Sequence, residues 1–358
     1  MGMSRVRVLM IGTLPPPMGG AAVSLKHLAD ALARRDDVEL LMVNTSGVRG
    51  HLVLGPFRFI RILWRVFILT RRCEVVSFQA APTGLPVLGP FVVAFARIWG
   101  RPLMIRKFGG KDYLAFAGIR GFLARRVVRA CDLYLAQTKA LVRSGEQDGL
   151  RRVEWFPTSR PMEHNGVQSS RPARSCRRFV FLSLVRPTKG IRELIEAGER
   201  LDEGISVDVY GPLLDGFSEQ NFVGLKRVKY RGVIAPGEAL TVLRDYDALV
   251  LPTYWEGEGY PGIVIEAFGA GLPVVSTRWK AIPEIVDDSC GLLVEPRDAD
   301  ALHDAMKALA ADDEQYARLC EGARSQAKLF DAQIWTDRFV SYCKDLASAG
   351  SGTSVGDA

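Results

Sequence analysis

Short apolar runs alternate with amphipathic runs along this chain, stop at a polar stretch near its middle, and then start again. Before the break, Val6–Ile11, Val38–Val43, Val75–Phe78, Leu103–Ile105 and Leu133–Ala136 read as strands, and helices are expected over Ala21–Arg35, Ile60–Leu69, 115–130 and 138–148. After it come strands at Phe179–Leu184, Ser206–Tyr210, Val228–Arg231, Ala248–Leu251, Pro273–Ser276 and Gly291–Val294, with helices over 190–203, 236–245, 261–270 and 298–311. Apolar strands separated by helices belong to parallel sheets covered on both faces. The fold class expected is therefore α/β, with two parallel-sheet lobes. The break, PTSRPMEHNGVQSSRPARSC at 157–176, has three prolines and no apolar period, and reads as a linker. A length of 358 residues suits two domains. The expected division is 1–158, a linker at 159–176, a second lobe at 177–330, a helix near 331–348 and a frayed small-residue tail at 349–358.

Charge separates the halves. Residues 1–176 carry 27 Lys/Arg against 11 Asp/Glu, a net +16, whereas 177–358 carry 20 against 29, a net −9. A basic half is drawn to anionic partners. Nucleic acid is disfavoured, because no reader motif accompanies the charge. The six cysteines form no CxxC pair and only four histidines accompany them, which argues against a zinc site or a disulfide framework. The start shows no cleavable signal, and a cytoplasmic protein is expected. Residues 75–96 lack charge for a bilayer's length, but Pro82, Pro86 and Pro90 break that span, so a strand, a loop and a buried helix ending near Trp99 are expected instead.

Three segments carry chemistry. PPPMGGAAVS at 15–24 joins a strand to a helix, and Gly19 and Gly20 let a ligand approach the backbone where helix amides point. Neither GxGxxG nor a Walker GK[ST] is present. RPTKG at 186–190 follows a strand and opens a helix, and Arg186 and Lys189 are cations suited to a diphosphate. Each segment also reads as an ordinary turn. The third, VLPTYWEGEGYPGIVIEAFGAGLPVVS at 250–276, places Glu258 and Glu266 eight apart. Gly259, Tyr260, Pro261, Gly262 and Ile263 lead into a helix start, and the two carboxylates are expected on one face.

This last block resembles that of family 4 retaining glycosyltransferases of the GT-B fold. Their second lobe carries E-x7-E followed by EA-x-A-x-G-x-P-V-V. The likeness extends to IPEIVDDSCGLLVEPRD at 282–298, VDVYGP at 207–212 and VKYRGVI at 228–234. The resemblance implies two Rossmann-like lobes facing across a cleft, with the last helix crossing back to the first. It implies that Gly19 and Gly20 approach the diphosphate of a nucleotide-sugar donor and that Lys189 and Arg186 neutralise it. Glu258 would touch the transferred sugar, the amides from Tyr260 to Ile263 its hydroxyls or phosphate, and Glu266 the ribose. The base would lie by Gly211, Pro212, Val233 and Ile234. Two positions depart from the family pattern. Leu184 stands where an arginine is common, with Arg186 offset from it. IRKFGGKDY at 105–113 has Phe108 where many members have a histidine, leaving Lys107, Lys111 and Asp112 as candidates for sugar or acceptor.

The expected reaction is glycosyl transfer with retention, without a cofactor and, for want of a DxD motif at the predicted site, without an obligatory metal. The acceptor expected is a saccharide, free or lipid-linked, in cell-surface polysaccharide assembly. An epimerase of similar fold and a non-catalytic nucleotide-sugar binder are the alternatives. Within 57–72, Arg58, Arg61 and Arg65 share one helical face among aromatic residues, which suits either a core-packed helix or one lying on an anionic membrane surface at the inner face of the cell membrane.

Overall fold

The computed structural model describes residues 5–16, 19–46, 55–81, 84–162, 175–235 and 237–352. The chain forms two compact units. One comprises 1–161 together with 332–358, and the other 162–331. The boundary falls three residues into the stretch expected as linker. Just before and within it, Phe156, Thr158 and Arg160 are buried: Arg106 donates to the carbonyl of Pro157, and Gln137 donates to Thr158. Most of the remaining linker, 163–174, lies outside the described residues.

In the first unit, β1 (Val6–Gly12), β2 (Val38–Asn44), β3 (Val75–Ala80), β4 (Leu103–Lys107), β5 (Leu133–Ala136) and β6 (Val153–Trp155) form one sheet in the order β2-β1-β3-β4-β5-β6, every pair parallel. Every residue of β3 and β4 is buried, as strands covered on both faces require. One face packs α2 (Gly55–Arg72), α3 (Leu85–Ile98), α4 (Gly118–Arg129) and α5 (Lys139–Gln147) around Val66, Val92, Val127 and Leu141. The other packs α1 (Gly20–Ala33) and α11 (Ala332–Gly352) around Leu28, Trp335 and Phe339.

The apolar stretch at 75–96 is β3 followed by most of α3. Pro86 sits in the first turn of α3, where its missing N–H costs nothing, and Pro90 lies inside. Gly89 lets α3 approach α4: a Cβ there would stand 2.7 Å from Val127 Cγ1. Among the described residues no helix is long and apolar enough to cross a membrane. The helix expected at Ile60–Leu69 is longer at both ends, and α11 continues through 349–352, so the tail lies beyond Gly352, outside the described residues.

In the second unit, β7 (Arg178–Leu182), β8 (Ser206–Tyr210), β9 (Val228–Tyr230), β10 (Ala248–Leu251), β11 (Val274–Thr277) and β12 (Gly291–Val294) form a second parallel sheet in the order β12-β11-β10-β7-β8-β9. Its helices are α6 (Ile191–Glu199), α7 (Ala239–Leu243), α8 (Gly262–Gly269), α9 (Ala299–Ala311) and α10 (Asp313–Leu329). This is the doubly wound order, with the strand sequence reversing between β7 and β10. Asp298 and Asp312 cap α9 and α10 through their carboxylates. All six cysteines are unpaired and buried.

Candidate functional site

Strand order decides what meets what in the second unit. β7 and β10 are neighbours although 65 residues of chain separate Leu182 from Ala248 in the sequence numbering, so the loops leaving their C-terminal ends lie side by side. Outside that reversal point is where ligands of such sheets bind. The loop after β7 carries Arg186 and a 3-10 turn, Pro187–Lys189; the loop after β10 carries Thr253 to Pro261.

The two loops are stitched together. Tyr254 N donates to Thr188 O at 2.9 Å. Gly190 has φ +75°, and a Cβ on it would stand 2.0 Å from the carbonyl oxygen of Pro252, so only glycine fits. This arrangement brings Lys189 Nζ to 2.5 Å from Glu258 Oε2, with side chains 12% and 9% exposed. Thr253 Oγ1 donates to the same carboxylate oxygen at 2.8 Å. Sequence reading missed Thr253, because a threonine five residues before a glutamate carries no signal of its own.

Arg186 is held differently. Its guanidinium lies 4.6 Å from the centroid of the Trp255 ring and pairs with Asp215 at 2.6 Å. Its Nε and the hydroxyl of Thr188 are buried with no hydrogen-bond partner. Unused buried donors beside a lysine are what an anion-binding loop presents before its ligand arrives.

At the end of β8, Gly211 has φ +135° and a Cβ there would meet Ser183 O at 1.8 Å. Its amide donates to Gly232 O and its carbonyl accepts from Tyr230 Oη, both at 2.9 Å. Pro212 and Val233 are exposed and Ile234 is half-buried, leaving an apolar edge beside backbone polar groups.

The E-x7-E block resolves into two different settings. Glu258 lies in the loop, buried, four residues ahead of α8, so the two carboxylates do not share a helix face as expected; Glu266 sits on α8, half-buried, one turn after Gly262. Pro261 caps α8 and has no N–H, so the helix-start amides come from Gly262 and Ile263. The Tyr260 side chain points into the core, its hydroxyl donating to Glu284 at 2.6 Å and its ring edge-on to Phe330. Gly259 is buried beside it.

The first-unit candidates have mixed settings. Gly19 caps α1 and Gly20 begins it; both are exposed, with open space where a Cβ would stand. Lys107 is fully buried, and its ammonium donates to the carbonyls of Gly109 and Lys111. Burial lowers its pKa to about 8. Asp112 accepts from the amide of Leu114 and from Ser144. These two side chains hold their own turn together, whereas Lys111 is exposed, 5.6 Å from the Phe116 ring centroid. Phe108 is buried against Arg106, whose guanidinium is sandwiched between Phe108 and Phe156. Among the described residues no group of three His, Cys, Asp or Glu is placed to hold a metal ion.

Residues 176–312 match the family model described as Glycosyl transferases group 1. A D-inositol 3-phosphate glycosyltransferase of Saccharomonospora viridis is 32% identical over 119 residues, covering 33% of this chain and 27% of that one. O-antigen chain mannosyltransferase B of Escherichia coli is 27% identical over 181 residues, 47% of this chain and 45% of that one. The chain thus spans less than half the length of either relative. Anabaena HepE, solved in complex with UDP, superposes with a TM-score of 0.74 at 17% identity, covering 95% of this chain and all of that one. The fold is of the GT-B type.

Proposed function

We propose that this chain, whose residues 176–312 match the group 1 glycosyltransferase family model, moves a sugar from a nucleotide-sugar donor to a saccharide acceptor with retention of configuration. The acceptor belongs to cell-surface polysaccharide or glycoconjugate assembly and is free or lipid-linked. The observation that carries this reading is the Lys189–Glu258 pair, set at the strand-order reversal beside unused buried donors on Arg186 and Thr188. The O-antigen relative supports the acceptor class, and the UDP held by HepE supports a nucleotide donor.

In this reading the donor diphosphate sits over the Arg186–Gly190 turn. Lys189 and Arg186 neutralise it as the C1–O bond breaks and the electron pair leaves on phosphate oxygen. Glu258 contacts the transferred sugar, and the amides of Gly262 and Ile263 donate to sugar hydroxyl or phosphate. Glu266 holds the ribose, and the base lies along Gly211, Pro212, Val233 and Ile234.

A panel of nucleotide sugars scored by thermal shift, followed by donor turnover with and without saccharide acceptors, tests the reading. A ligand at 100 times its Kd adds about 2.7 kcal/mol of stability. Acceptor-dependent turnover whose product keeps the donor's anomeric configuration supports transfer. Acceptor-independent conversion supports an epimerase, and binding without turnover supports a nucleotide-sugar sensor.

A further inference from the structure

Helices α2, α3 and α4 lie side by side on one face of the first sheet, their inner residues sharing one core. Their combined sequence contains ten arginines and not one lysine, aspartate or glutamate. Helix surfaces of ordinary soluble domains mix both signs of charge, so forty-odd residues without a carboxylate are a selected composition.

The outward apolar residues are as ordered as the charge. On α2, Phe57, Ile60 and Trp64 fall at i, i+3 and i+7 and are 75%, 62% and 63% exposed. Phe91 on α3 and Ile119 and Phe122 on α4 extend the same exposure across the neighbouring helices, Ile119 at 76%. Phe59 and Phe91 meet edge to face at 5.9 Å, joining α2 to α3 beneath this surface. Single exposed apolar residues are common, but rows of them on three adjacent helices, set among arginines only, are not.

One residue further round α2, Arg58, Arg61 and Arg65 form a second row. They line a cavity of about 180 Å³ with Asn44 and Ser46 at the end of β2. Its lining offers three guanidinium groups and no carboxylate, the chemistry that takes a phosphate.

We propose that α2, α3 and α4 form a docking face for an anionic phospholipid bilayer. Phe57, Ile60, Trp64, Phe91, Ile119 and Phe122 enter the boundary between headgroups and acyl chains. Arg58, Arg61 and Arg65 receive a lipid phosphate in the cavity beside β2. Charge decides for this occupant. A second copy docking by the same face would set ten arginines against ten arginines, whereas an anionic leaflet neutralises them. The inference does not rest on the transfer reading, and its test reads vesicle binding rather than turnover.

The full chain is co-sedimented with vesicles of phosphatidylcholine alone and of phosphatidylcholine with 30% phosphatidylglycerol. Strong binding to the anionic vesicles only, released as salt rises from 0.1 to 0.5 M, is expected, because added salt shortens the screening length from about 10 Å. Replacing Arg58, Arg61 and Arg65 together by Glu should lower the partition coefficient at least about a hundredfold, since each basic residue near such a leaflet contributes about fivefold. Trp64→Ser should weaken binding at high salt more than at low salt. In a Trp64-dependent assay, lipids brominated on the acyl chain should quench fluorescence in the native chain and less so in Trp64→Phe. Melting temperature and nucleotide-sugar binding of each variant check that the fold is kept. Equal partition onto neutral and anionic vesicles, or none onto either, overturns the proposal. So does a concentration-dependent dimer abolished by Trp64→Ser, which would assign the face to a second copy.

Discussion

Lys189 and Glu258, 69 residues apart in sequence, form an ion pair at 2.5 Å that Thr253 supports from the carboxylate side. The pair couples two properties that variants can separate. Lys189→Ala removes charge from the proposed leaving group and should lower kcat by roughly 10²–10³, about 3–4 kcal/mol. It also strands a buried carboxylate, so the melting temperature should fall, by about 1–3 kcal/mol of stability. Adding Glu258→Gln should restore part of the stability and none of the turnover. A double variant as unstable as the single one would contradict the buried pair; a Lys189→Ala enzyme with near-normal kcat would contradict the diphosphate assignment.

Glu266 and Glu258 should separate kinetically. A ribose contact is the same in ground and transition states, so Glu266→Gln should raise the donor KM and leave kcat within about threefold. Glu258→Gln should lower kcat with a smaller change in KM. Steady-state kinetics on both variants decide this, and the opposite pattern would exchange their roles.

Two glycines should respond in opposite ways. Gly190→Ala puts a Cβ against the Pro252 carbonyl at a left-handed φ, and a loss of roughly 3 kcal/mol or more, or failure to fold, is expected in denaturant titration. Gly19→Ala meets open space at φ −165° and should change stability by under about 0.5 kcal/mol. If the donor diphosphate approaches Gly19, that same variant should weaken donor affinity in calorimetry.

His27 on α1 gives a pH dependence. Burial first, and then the nearby Arg160, lower its pKa from 6.5 to about 4. The unfolded state therefore takes up this proton first, and stability rises with pH across that window. The contribution is complete above pH 6.5 and is lost as pH falls through about 4. For a partly buried ring, about 2 kcal/mol is at stake once solvent screening is allowed for. As pH is lowered from 7 to 4, the native chain should lose about 2 kcal/mol more stability than His27→Gln in thermal melts, and parallel curves would rule the contribution out.

Much of the fold was legible because parallel strands buried on both faces are nearly all apolar, as β5 and β10 are. The three-residue β6 has half-buried residues only and left no such run. The RPTKG and E-x7-E segments were legible as motifs, but their contact was not, since it depends on β7 lying beside β10. The shared face expected for Glu258 and Glu266 carried the helical period of α8 back past Pro261 into a loop, where it does not hold. The engagement of Arg186 with Trp255 and Asp215 was invisible for the same reason as the ion pair: each partner comes from a different loop. Lys107, a candidate for sugar or acceptor in the sequence, is buried, because the turn after it folds the carbonyls of Gly109 and Lys111 onto its ammonium.

The chain leaves the first unit after Pro161 and returns to it at Ala332, where α11 places Trp335 and Phe339 into that unit's core. During synthesis the second unit is thus complete in one stretch, while the first waits, one sheet face covered by α1 alone, until α11 has been made. The domain begun first is finished last. Over that interval the core residues that Trp335 and Phe339 cover stay exposed, and a chain released before Ala332 would carry a closed second unit tethered to an incomplete first one.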